Sequence, residues 1–308
     1  MDKLISVIET ALPVFLALGL GMLCRKTRFI SREGIDTLKK VVINITLPAV
    51  LVNAFATAEY SSSTLILPVI VFLLCCVALL LGFFIIRISG SKSRLAPFLA
   101  TGFEAGMLGY ALFALLFPNE SASKFAILDL GQTLFVFTLF KILLSGKTNL
   151  KAIARDMVTT PILWAVLVGV LLGATGLYQQ LHNWKVGSIL DSVTGFVSAP
   201  TGMIILLTVG YDLVFRDIPW KKTGGFIAMR FAVMAICYGI LVLLNRTLLG
   251  GILFEGAALL LVILPPPYVI PVFADEPAER TQIASALSAM TLLTMILFAF
   301  CSIFVNLG

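Results

Sequence analysis

Three consecutive prolines, Pro265-Pro266-Pro267, stand inside an otherwise fatty stretch of this chain. No α-helix runs through such a triplet, because each proline lacks an N–H and each ring clashes with the carbonyl one turn back. Yet the residues on both sides, 256–263 and 269–273, are apolar enough for lipid. The full run reads Leu264-Pro265-Pro266-Pro267-Tyr268-Val269-Ile270-Pro271. It predicts a helix broken at membrane depth, which is tolerated only where protein or a wet cavity shields the freed backbone. In secondary transporters such breaks build the substrate site.

Composition agrees with a membrane setting. Hydrophobic residues make up 59% of the 308 positions and charged ones 12%, against roughly 45–50% and ~25% in soluble domains. Lys and Arg outnumber acids by 22 to 16, a net +6, which reads as a topology signal and not as a nucleic-acid footprint. Cys24, Cys75, Cys76, Cys237 and Cys301 all fall in apolar runs, with neither metal-ligand nor secreted-disulfide spacing. Glu9 interrupts the first apolar run and no small-residue cleavage site follows, which argues against a signal peptide.

A spanning helix takes about 20 apolar residues. On that ruler the chain divides into about ten segments: 5–24, 35–57, 64–87, 95–117, 122–144, 158–178, 189–211, 225–246, 252–274 and 279–305. Cations cluster in alternate links. Arg25, Lys26, Arg28 and Arg32 occupy the first, followed by Lys39 and Lys40. Lys92 and Arg94 lie in the third beside Arg87, and Lys147, Lys151 and Arg155 in the fifth beside Lys141. Arg216, Lys221 and Lys222 fill the seventh, and Arg280 the ninth. The intervening links are poor in cations, so both termini are expected outside the cytoplasm of a multi-pass cell-membrane protein.

The polar residues suggest an internal repeat. Thr46-Leu47-Pro48-Ala49 in the second span and Ser198-Ala199-Pro200-Thr201 in the seventh both place a proline mid-span, five spans apart. The fourth span carries Gly102, Glu104, Gly106 and Gly109 at its centre, and the proline triplet lies five spans later. An odd number of crossings inverts the second copy. The expected fold is therefore all-α: two inverted five-helix repeats, 1–145 and 146–308, with broken helices four and nine crossing at mid-membrane.

Taken together these strings resemble the auxin efflux carrier family, which includes plant auxin exporters and bacterial permeases for malate, malonate and similar acids. The likeness covers nearly the whole chain: Thr46 to Leu51 in the second span, Thr160-Pro161 with Gly169 and Gly173 in the sixth, Ala199-Pro200-Thr201 to Gly210 in the seventh, the prolines with Pro271 in the ninth, and Ser288 and Thr291 in the tenth. The family's fourth span commonly reads Asn, two residues, Phe-Leu-Gly, one residue, Pro. This chain departs from it, with Glu104 at the Asn, Met107 at the Phe and Ala111 at the Pro. The resemblance implies two five-span repeats and a mid-membrane crossover, and leaves the cargo unnamed.

Glu104 is the leading candidate for chemistry. A carboxylate inside a span is costly and so points to function, as a proton carrier or a cation ligand, the alternative being a structural carboxylate satisfied by a basic or amide side chain on another span. The second half-helices are expected to begin near Gly106 and Tyr268, presenting free N–H groups to an anionic cargo held among Pro265, Pro266, Pro267 and Tyr268. Asp129 and Gln132 share a helical face and form either a second proton station or an interhelical hydrogen-bond pair. Asn44 and Asn53 either line the cavity or make packing bonds. Asp191, Asp212, Arg230 and Glu255 read as interfacial or paired groups near span ends.

The expected activity is secondary transport of a small organic anion, such as a carboxylate or auxin-like acid, coupled to protons or sodium. A passive channel, or a carrier of a cationic or zwitterionic cargo held by Glu104, is the alternative. No phosphate-binding G-x-x-x-x-G-K-[ST] loop suggests ATP drive. His182 is the sole histidine, and neither H-E-x-x-H nor G-x-S-x-G occurs, so neither an enzyme nor a resident metal or cofactor is expected. The expected partners are the bilayer and a small molecule, with oligomeric state open between monomer and homodimer.

Overall fold

A computed structural model describes residues 2–61, 63–91, 93–146, 158–213, 220–274 and 276–307. These residues are helical, with no strand among them. Six helices are long and apolar enough to cross a membrane: Arg32–Ala56, Ile66–Ile88, Ser123–Ser145, Val186–Asp212, Trp220–Thr247 and Pro277–Val305. A seventh follows if the bent pair Pro161–Ala174 and Leu177–Asn183 counts as one span. A further helix, Asp2–Thr27, opens the chain. Of the cations in the alternation, Lys92, Lys147, Lys151, Arg155 and Arg216 lie outside the described residues.

The helix 66–88 shows why this is a membrane fold. Its inner face, Leu67, Val71, Cys75, Ala78, Leu79 and Ile86, is buried. Its outer face repeats at three and four residues through Val69, Leu73, Val77, Leu80, Phe84 and Ile88, and Leu80 and Ile88 are 68% and 70% exposed. A helix apolar all round, with one face open, suits lipid and not water. The chain is an all-helical, multi-pass membrane protein.

Local sequence sets the irregularities. Pro48 cannot donate to the carbonyl of Asn44, and the helix 32–56 absorbs that loss in a wide π turn over Val42–Thr46. The sixth segment ends sooner than 178. Helix Pro161–Ala174 stops at Thr175, and Gly176 at φ +71° turns the chain by 70° into Leu177–Asn183. Glycine alone takes that left-handed conformation without penalty.

Helices 2–27 and 201–212 make one of the closest contacts. A Cβ on Gly21 would stand 2.1 Å from the Leu207 carbonyl oxygen, and one on Gly210 would stand 2.2 Å from that of Leu18. Two missing side chains let the backbones touch, the device by which helices associate where water cannot drive them together. Gly195, by contrast, would meet nothing within 4 Å. Gly210→Val is expected to destabilise the protein by about 1–3 kcal/mol through overpacking, seen as a lower midpoint in detergent thermal unfolding. Gly195→Ala should leave that midpoint unchanged or raise it slightly.

Candidate functional site

Two interrupted segments meet inside the bundle. The first runs as a short 3-10 helix Ala96–Ala100, an extended stretch through Glu104, a π turn Ala105–Gly109 and helix Tyr110–Leu116. The second runs as helix Glu255–Ile263, the proline stretch and a four-residue 3-10 helix, Ile270–Phe273. Gly102 has φ +67°, and a Cβ there would lie 2.9 Å from the Pro267 ring, so the breaks are packed directly on each other. Beyond the break the first segment continues for twelve helical residues, Ala105–Leu116. The ninth does not rebuild the expected half-helix: beyond the prolines only the four-residue turn Ile270–Phe273 forms before Ala274 turns extended.

Much of the backbone of each break is hydrogen-bonded, to the other break, to a neighbouring helix or within its own turn. Three prolines offer no N–H, so the carbonyls are what require partners. Ile263 O accepts from Thr294 Oγ1 at 2.6 Å, Leu264 O from Arg230, Pro265 O from Glu104 N at 2.9 Å, and Pro267 O from Ile270 N. On the other strand of the crossing, Gln132 grips both backbone groups of Phe103. Its Oε1 accepts from Phe103 N at 3.3 Å and its Nε2 donates to Phe103 O at 2.9 Å. Thr101 Oγ1 donates to Cys75 O at 2.7 Å.

Glu104 sits at the junction. One carboxylate oxygen accepts from Met107 N at 3.3 Å, capping the 105–116 helix, and the other accepts from Tyr268 N at 2.6 Å. The side chain thus occupies one amide at each of the two places, near Gly106 and at Tyr268, expected to face an anionic cargo. Among the described residues no Lys, Arg or His forms an ion pair with it. Glu104, Gly106 and Tyr268 are partly exposed, whereas Pro265, Pro266 and Pro267 are buried. The Tyr268 hydroxyl bonds to Thr291 Oγ1 at 3.0 Å.

Asp129 and Gln132 both address the broken fourth segment. Asp129, 3% exposed, accepts from Tyr110 OH at 3.0 Å and from Thr133 Oγ1 at 3.3 Å. Their geometry is that of an interhelical hydrogen-bond pair. Asn44 is exposed and donates to Lys40 O one turn back, and no hydrogen bond joins it or the half-buried Asn53 to Glu104 or Tyr268 among the described residues. What approaches from that side is Leu47, whose Cδ2 lies 3.3 Å from where a Gly106 Cβ would be. Thr46 and Thr201, from the two matched proline motifs, and Thr223 carry buried hydroxyls without a partner among the described residues. The 201–212 helix packs on both the 42–46 and the 105–109 turns.

Three of the four groups read as interfacial or paired do have partners. Asp191 bonds His182 and Tyr178, Asp212 bonds Arg32 and Lys39, and Glu255 bonds Asn245 and approaches Arg246. Arg230 departs from that expectation. The eighth helix begins at Trp220 and not near 225, which places Arg230 about three turns inside. It is 1% exposed and donates to carbonyls of both breaks: Leu99 O at 3.1 Å, Gly102 O at 2.9 Å and Leu264 O at 2.7 Å. A mid-span arginine without a nearby acid in sequence was the available signal.

A cavity of about 390 Å³ touches neither Glu104 nor Tyr268. It opens where helices 123–145 and 255–263 begin, lined by Glu59, Thr64, Ser123, Lys124 and Phe254. A second space, between Cys75, Phe103, Met234 and Cys237, holds only about 10 Å³.

No family model matches the sequence. The chain is similar to an uncharacterized transporter of Methanothermobacter thermautotrophicus, with 27% identity over 215 residues, 68% of each chain.

Proposed function

We propose that this chain is a secondary transporter of small organic anions, working by alternating access and driven by protons carried on Glu104. The similarity to a protein described as a transporter and the multi-pass helical fold support transport in general. The anion and the proton rest on one observation: the Glu104 carboxylate is held by two backbone amides, one from each break. A slot made of Met107 N–H, in the first turn of the 105–116 helix, and Tyr268 N–H, freed by the proline stretch, is a carboxylate receptor, since free amides accept negative charge and a helix start favours it. With no cargo bound, the protein's own carboxylate fills it.

The cycle follows from that competition. A proton arriving on Glu104 neutralises it and weakens its hold on the two amides, because hydrogen bonds to a charged acceptor are roughly twice as strong as neutral ones. A cargo carboxylate then takes the amides, with the unpartnered Thr46 and Thr201 hydroxyls as further donors. After reorientation the cargo leaves, Glu104 loses its proton and its carboxylate returns to the slot. One proton moves with one monoanion, so no net charge crosses.

The expected frame is ten spans in two inverted repeats, 1–145 and 146–308, in a cell membrane with both termini outside, as in the auxin efflux carriers that the sequence resembles. In that frame the 390 Å³ cavity is an outer vestibule. A second reading, a cationic or zwitterionic cargo paired to Glu104, is favoured by the lack of a basic partner for Glu104 among the described residues.

Proteoliposomes separate these readings. A panel of mono- and dicarboxylates, amines and amino acids, tested with and without imposed proton and sodium gradients, should show saturable carboxylate uptake and counterflow that follow the proton gradient alone. Uptake confined to amines would select the second reading, and unsaturable conductance would reject a carrier. Glu104→Gln is expected to fold, with stability lowered by about 1–3 kcal/mol through loss of the charged acceptor, and to lose stimulation by the proton gradient while retaining counterflow. Unaltered pH dependence in this variant would remove Glu104 from the coupling.

A further inference from the structure

The geometry points to Arg230 as a tethered cation: its guanidinium occupies the place at the crossing where carbonyl oxygens would otherwise coordinate a free metal ion, so the fold needs no sodium there. This stands whether the cargo is an anion or a cation.

Helix ends and unwound backbone at a break expose carbonyls, and in broken-helix transporters such carbonyls coordinate sodium. Here three of them, Leu99 O, Gly102 O and Leu264 O, converge on one buried point. They come from the end of 96–100, the extended stretch after it and the end of 255–263. Their partial negative charge calls for a cation. The point is filled by the Arg230 side chain, which makes four hydrogen bonds there, two of them to Leu264 O.

The surroundings fit a counter-charge to dipoles and not an ion pair. No carboxylate pairs with Arg230 among the described residues. Its neighbours are the Phe103 ring, 5.7 Å from the guanidinium carbon, and the small apolar space beside Cys75 and Cys237. A lone buried charge is expensive unless its donors are satisfied. A guanidinium, with five donors in a fixed fork and a permanent charge, suits several carbonyls better than a point ammonium does. Being tethered, this cation cannot leave with the cargo, so it positions the crossing and is not itself transported.

The test needs no knowledge of the cargo. Thermal unfolding of the purified protein in detergent is compared in sodium chloride and choline chloride at equal ionic strength, for wild type, Arg230→Lys and Arg230→Met. The wild type is expected to unfold at the same temperature in both salts. Arg230→Lys, still cationic, should unfold several degrees below wild type but clearly above Arg230→Met. The Met variant, its carbonyls vacated, should become more stable in sodium than in choline. Wild-type stabilisation by sodium over choline would overturn the inference. So would equal midpoints for the Lys and Met variants, or a sodium-insensitive Met variant. If the Met variant fails to fold, the wild-type salt comparison and the Lys variant still decide.

Discussion

The whole fold depends on satisfying broken backbone in a medium without water. Each unpaired amide or carbonyl in hydrocarbon costs several kcal/mol by the usual order of magnitude, and two segments of this chain abandon helical hydrogen bonding side by side. They survive because each supplies what the other lacks. The proline stretch has carbonyls and no amides, and receives Glu104 N–H at Pro265 O. The glycine-rich stretch is repaid with the Tyr268 N–H on the Glu104 carboxylate. Gln132 and Arg230 complete the exchange from two flanking helices.

Charge follows the same logic. The crossing carries one acid at the amide side and one base at the carbonyl side, and they do not form an ion pair. Each is matched instead to backbone dipoles of the opposite sign. Glu104 caps the start of a helix, and Arg230 covers the ends of two. Such matching holds the two charges apart, one at each side of the crossing. Asp129 and Gln132 support the same segment from behind, through Tyr110 and Phe103.

Around the crossing, packing is set by small residues and proline bends. Gly21 and Gly210 bring two backbones into contact, and the π turn before Pro48 lets Leu47 reach Gly106. The 201–212 helix packs on both the 42–46 and the 105–109 turns there.

Several features were legible in the residues alone. Hydropathy set the membrane class because lipid rewards apolar faces whatever their arrangement. The proline triplet set a break because no neighbour can restore a missing N–H. A lone carboxylate among glycines marked Glu104, since a charge in a span needs a reason to be there. The partners were decided in three dimensions. Sequence spacing relates residues one turn apart, as with Asp129 and Gln132, but carries nothing about which carbonyl 131 positions away Arg230 will reach. Nor does it reveal that Glu104 fills the amide slot itself, that the ninth segment never rebuilds a half-helix, or that Asn44 turns back to its own helix. Those outcomes depend on which groups the packed helices bring within hydrogen-bond reach, and that distance exists only once the bundle has closed.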